Sequence, residues 1–150
     1  LRLAAANKAA RPVPYAAQAT LQASFASRSM VLSGLSLLVF VVYHLLHFTL
    51  GVVHQQDYAR RAQRFDGFDV HAMVTASFSH PAVAIAYAAA QIVLFLHLRH
   101  GLQSFAQTLG FHHGRWTPMV QMVATLVAAL IAGANALLAL SVQLGLVAAS

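Results

Sequence analysis

The stretch SMVLSGLSLLVFVVYHLLHFTLGVVHQQ, residues 29–56, contains no Asp, Glu, Lys or Arg. A helix needs about 20 residues to cross the hydrocarbon core of a bilayer, so this run predicts a spanning helix near 29–51. Residues 70–98 and 116–150 are equally free of those four residue types. They predict further spans near 81–101 and 118–147. The expected fold class is all-α: a transmembrane helical bundle with three spanning helices in this chain plus a short interfacial helix.

Composition agrees with that reading. The chain has 150 residues, 59% hydrophobic and 8% charged, with a mean hydropathy of +0.68. Soluble domains carry about a quarter charged residues. There is no Cys, which excludes disulfides, thiolate zinc, Fe–S ligation and covalently attached haem. Any metal must then be held mainly by His or Met. The net charge of +6 lies between apolar runs, where it reads as topology and contact with lipid headgroups, not as nucleic-acid binding.

The connecting segments carry the remaining signals. Residues 1–28 are Ala-rich and basic, with Arg11-Pro12-Val13-Pro14 as a helix breaker. They read as the tail of an earlier element followed by a cytoplasmic loop, so that residues 1–150 form one membrane anchor. Residues 52–80 hold all three acids, Asp57, Asp66 and Asp69. Asp69 is placed to cap a short helix with Val70, Met73, Val74 and Phe78 on its apolar face, lying along the membrane surface. Leu102 to Leu109 can prolong the second span beyond the bilayer, with Gly110 as its stop. In the third span, Gly133 and Asn135 predict close packing and a hydrogen bond across an interface. Arg2, Lys8, Arg11, Arg28, Arg99 and Arg115 fall on the N-terminal side of the membrane, against Arg60, Arg61 and Arg64 on the other. That bias places the N-terminal side inside.

Four of the nine histidines lie within the predicted spans: His44, His47, His97 and His100. An imidazole at bilayer depth costs free energy unless it meets a cavity, a partner or a cofactor. Haem is the usual cofactor that takes His from transmembrane helices, and the plain alternative is hydrogen bonding to a neighbouring helix. His44 and His97 are the candidate haem axial ligands. The i, i+3 spacing puts His44 with His47, and His97 with His100, on common helical faces. His100, at the membrane edge, is expected to meet headgroups or a haem propionate. His47 remains ambiguous. His54, His71, His80, His112 and His113 read as surface residues. At 1.5 Å per residue His44 lies about 22 Å from the inner face and His97 about 24 Å from the outer face. In a core about 30 Å thick they are offset by roughly 15 Å. They therefore belong to two haems, or neither is a ligand.

At these residues the sequence resembles a known family. The motifs are Phe25-Ala26-Ser27-Arg28, Val41-Val42-Tyr43-His44-Leu45-Leu46-His47-Phe48-Thr49, Ser79-His80-Pro81, Leu96-His97-Leu98-Arg99-His100-Gly101-Leu102-Gln103-Ser104-Phe105 and Gln107-Thr108-Leu109-Gly110. Together they resemble the cytochrome b subunit of succinate dehydrogenase and fumarate reductase, of the single-subunit dihaem b558 type. That family's anchor has five helices, the first four each donating one haem-binding His. The chain looks like helices three to five. The resemblance implies that His44 binds the outer haem iron and His97 the inner one. The other two ligands would lie on N-terminal helices absent here or on a second anchor chain.

The function expected is a haem b-binding membrane anchor of respiratory complex II in a bacterial cytoplasmic membrane. Its partners would be a flavoprotein subunit and an iron–sulfur subunit. Two haems b would serve the complete subunit, and menaquinone would be the electron carrier. Tyr43, His47 and His54 at the outer edge, and Arg28 and His100 at the inner edge, are candidate quinone or propionate contacts. The alternative is a non-redox helical membrane protein, a transporter component or assembly factor, in which the histidines join helices.

Overall fold

The computed structural model describes residues 29–59, 69–111 and 113–147, with Ala6, Ala9 and Ala10. Arg2, Lys8, the Arg11–Pro14 breaker, Arg28, Arg60, Arg61, Arg64, Asp66 and His112 lie outside the described residues. The described residues are helical with no strand. Helix α1 is Met30–His44 and runs on through a π-helical turn, Leu45–Thr49. Then come α2, Gln55–Ala59; α3, Val70–Phe78; α4, Pro81–Thr108; and α5, Thr117–Gln143. Three helical stretches are long and apolar enough to cross a membrane: Met30–Thr49, Pro81–Thr108 and Thr117–Gln143.

Local chemistry sets the ends. The Asp69 carboxylate accepts the Ala72 N–H at 2.9 Å and starts α3. Pro81 occupies the first turn of α4, where its missing N–H is no loss. Helix α4 has 28 residues, about 42 Å of rise, and so outruns a core of about 30 Å. It ends before Gly110, whose φ of +88° is the left-handed conformation that closes many helices.

Helix α4 is the central element, packed along α5 on one side and α1 on the other. Both pairings are antiparallel. Arg99 meets Thr125 and Phe78 meets Gln143; Ser33 meets His97 and Phe40 meets Tyr87. The buried residues of α5 are Ala124, Ala128, Ala132 and Ala139. Small side chains let α4 and α5 approach closely. The expectation for Gly133 and Asn135 is corrected. A Cβ at Gly133 would meet nothing within 4 Å, and Asn135 is an exposed residue on a cavity wall with no hydrogen bond among the described residues. The alanine ladder, one helical face away, makes the contact instead.

The core lies at one end of the bundle. Phe78, Val83, Ala84, Tyr87 and Ala139 are buried there, with Phe40, Tyr43, Phe48, Val74 and Val142 against them. Helix α3 covers this end, and its last carbonyl is held across the bundle, Gln143 donating to Phe78 O at 2.7 Å. Large apolar side chains elsewhere, such as Leu32, Leu38, Ile92, Leu130 and Leu137, are exposed, as expected of a surface that meets lipid.

Candidate functional site

Two histidine levels are built on α1 and α4. The first begins at the end of α1, where hydrogen bonding changes register: Leu50 N–H donates to Leu45 O at 2.8 Å, five residues back. A turn closed over five residues turns the side chains beyond it away from their α-helical positions. His44 and His47 both meet the Tyr87 ring, at 6.0 and 5.7 Å, but they differ in burial. His44 lies on the open side of the helix, whereas His47 is turned inward and is 1% exposed.

His44 sits among aromatic rings, with centroids 6.2 Å from Phe40, 5.6 Å from Phe48 and 6.0 Å from Tyr87. Neither ring nitrogen has a hydrogen-bond partner among the described residues. His44 lines a cavity of about 570 Å³, walled by Phe40, Phe48 and Tyr87, by Met73 and Phe78 from α3 and its end, and by Gln91 and Asn135. Specific ligand sites occupy roughly 300–1,000 Å³. The Gln91 amide nitrogen makes one long bond to Tyr87 O, 3.4 Å. Its Oε1 is buried without a partner, and Gln91 as a whole is 7% exposed.

His47 differs. Its Nδ1 is 3.0 Å from the Tyr87 hydroxyl and its Nε2 3.1 Å from Ser77 Oγ. It stacks on Phe48 at 4.1 Å. Both nitrogens are used, and the ring joins α1 to α3 and α4. Beyond it stand His54, 4.9 Å from the His47 ring, and His80, whose Nε2 is 3.3 Å from Asp57 Oδ2. Tyr43 packs 5.6 Å from His47 and 5.8 Å from Tyr87.

The second level is His97, half-buried on α4. Its Nδ1 lies 3.0 Å from Ser33 Oγ on α1. A Cβ at Gly34 would sit 3.4 Å from His97 Cε1, so the ring rests in a notch made by Ser33 and Gly34. Nε2 has no partner among the described residues. His100 is bonded within its own helix to Ser104, at 3.2 Å, and Arg99 donates to Thr125 at 3.1 Å. Tyr87, which meets His44, is ten residues from His97 on one helix. The two levels are therefore about 15 Å apart.

Among the described residues no three His, Asp or Glu converge as a metal site. One imidazole per level suits an iron whose remaining positions are filled by a macrocycle and a ligand from another helix. His44, beside an apolar cavity and with no hydrogen bond on its ring among the described residues, and His97, with its unpartnered Nε2, offer the donor type that haem iron takes. Sequence reasoning did not single out Ser33, Ser77, Tyr87 or Gln91. Their signal is a polar group inside an apolar run, with Tyr87 and Gln91 one turn apart on one face.

Fold and site define a multi-pass helical membrane protein with imidazoles at two depths. The chain belongs to the succinate dehydrogenase/fumarate reductase transmembrane subunit family, whose profile matches residues 11–132. Comparison with curated proteins and with solved structures returned no match.

Proposed function

We propose that the chain is a haem b-binding membrane anchor subunit of respiratory complex II. It would link an iron–sulfur subunit, itself joined to a flavoprotein subunit, to membrane menaquinone. The observation that carries this reading is the pair of imidazoles, His44 and His97, held about 15 Å apart in depth on neighbouring helices with metal-binding nitrogens unengaged. Haem b bound at each level would supply reversible one-electron storage at a depth water does not reach.

The chain's own residues do the rest. His44 and His97 would each hold a haem iron through one ring nitrogen. Phe40, Phe48, Phe78 and Tyr87 give the cavity beside His44 an apolar wall. The Lys and Arg bias favours the His97 end as the cytoplasmic side, where the iron–sulfur partner would dock, and we read the membrane as a bacterial inner membrane. Menaquinone then reacts at the His44 end. His47 has no nitrogen to spare there, which favours a structural role for it over a quinone contact. Tyr43 and His54 are the remaining outer-edge candidates, and His100 is the inner-edge one, with Arg28 outside the described residues. The test is a dithionite-reduced minus oxidised spectrum of the complex purified from membranes. The reading expects a b-type α-band that titrates as two components; a flat spectrum from intact complex contradicts it.

A further inference from the structure

Ser33 is the one buried residue of α1. A helix of Val, Leu and Phe thus covers a serine and leaves its large apolar side chains outside. What covers Ser33 is His97, and a second contact of the hydroxyl, to Met30 O, bears on which way the bond runs. The Ser33 hydroxyl lies 3.1 Å from Met30 O as donor and 3.0 Å from His97 Nδ1. A hydroxyl has one proton, and a carbonyl oxygen can only accept. With that proton given to Met30 O, Ser33 Oγ must accept from Nδ1. The imidazole proton is then on Nδ1, and Nε2 carries the lone pair. The opposite arrangement, with Ser33 donating to Nδ1, puts the proton on Nε2 and closes that nitrogen to a metal.

We infer that Ser33 is a positioning residue for the His97 haem level: it selects the Nδ1–H tautomer and holds the ring in the Ser33–Gly34 notch with Nε2 free to ligate. This rests on the reading of His97 as an iron ligand. A ring N–H donated to a fixed acceptor makes the other nitrogen more basic and orients the ring. A more basic ligand favours oxidised iron, so the bond lowers the midpoint potential of the haem at this level. His44 has no such acceptor among the described residues. The two levels therefore differ in how their ligand is tuned.

The test compares the intact complex with its Ser33→Ala, Ser33→Thr, Ser36→Ala and His97→Ala variants. Ser36 is a matched control, exposed and bonded only to Leu32 O in its own helix. The readouts are haem content, a potentiometric titration of the difference spectrum, and haem transfer to apomyoglobin. Ser33→Ala should keep two haems while one component moves to higher potential and loses roughly 10-fold or more in haem retention. The other component should not move, Ser33→Thr should restore the parent titration, and Ser36→Ala should match it. Should Ser33→Ala fail to assemble, Ser33→Cys, a weak acceptor, takes its place with a smaller shift in the same direction. A Ser33→Ala titration that superimposes on the parent overturns the inference, while loss of one haem in His97→Ala leaves the ligand reading intact. Two haems retained in His97→Ala overturn both. Equal movement of both components in Ser33→Ala also overturns the inference, since it reports a general loosening of the bundle.

Discussion

The two histidine levels are built in opposite ways. At the His44 end, α1, its π-helical turn, α3, α4 and α5 all contribute, and they enclose a cavity among stacked and edge-on aromatic rings. At the His97 level α1 meets α4, and Ser33 and Gly34 lie against the ring. The first level has the packing of a folded core; the second has one hydrogen bond and a notch. Rigidity at the first comes from many neighbours and from His47, a buried imidazole bonded on both sides. At the second it depends on a single hydroxyl, so small changes there should act on the histidine more than on the fold.

The largest expected effect is at the crowded end. His47→Leu leaves the Tyr87 and Ser77 hydroxyls buried without their partner. At about 1–2 kcal/mol for each orphaned group it should cost roughly 3 kcal/mol. Ser33→Ala, which removes the bond to His97 Nδ1 and a local one to Met30 O, should cost about 1 kcal/mol. Thermal denaturation of the purified complex measures both, and equal losses would dissolve the contrast between the levels.

Gly51→Ala comes next. Gly51 has a φ of +65°, and a Cβ there would collide with the Tyr58 ring, whose hydroxyl is bonded to Thr49 O at 2.9 Å. Left-handed backbone alone costs a side chain about 1–2 kcal/mol, so a loss of about 2 kcal/mol or more should appear in the same melts. A neutral result would mean that the turn after the π-helical segment is slack and the His44 end less tightly determined than its packing suggests.

Gly34→Ala should do least. Its Cβ would reach ordinary contact with His97 Cε1, at 3.4 Å, and alanine gains about 1 kcal/mol of helix propensity over glycine. Stability should change by less than about 1 kcal/mol, and the haem spectrum should stay as in the parent. A large loss of haem would show that the notch is tighter than the His97 contact implies.

Much of this architecture was legible in the chain. Charge punctuation marked three spans because an ionised side chain at bilayer depth is costly wherever it falls. Asp69 and Gly110 marked helix ends because capping is local chemistry. The roughly 15 Å offset of His44 and His97 followed from helix rise alone, and the Tyr87 and Ser33 contacts reproduce it. The π-helical turn was not legible. Nothing in Leu45–Thr49 forbids an ordinary α-turn, and packing against α3 and α4 is what carries His47 inward. For the same reason the roles of Tyr87, Ser77 and Ser33 required their partners to be seen. Gly133 misled because small residues permit close packing without specifying which face is used.

The central claim is that His44 and His97 serve two separate haem levels. It is tested most directly by potentiometric difference spectra of the assembled complex carrying His44→Ala or His97→Ala. The account predicts two b-type components in the parent, and one in each variant, with a different component surviving in the two cases. If either variant keeps both components, or both lose the same one, the two-level account is wrong.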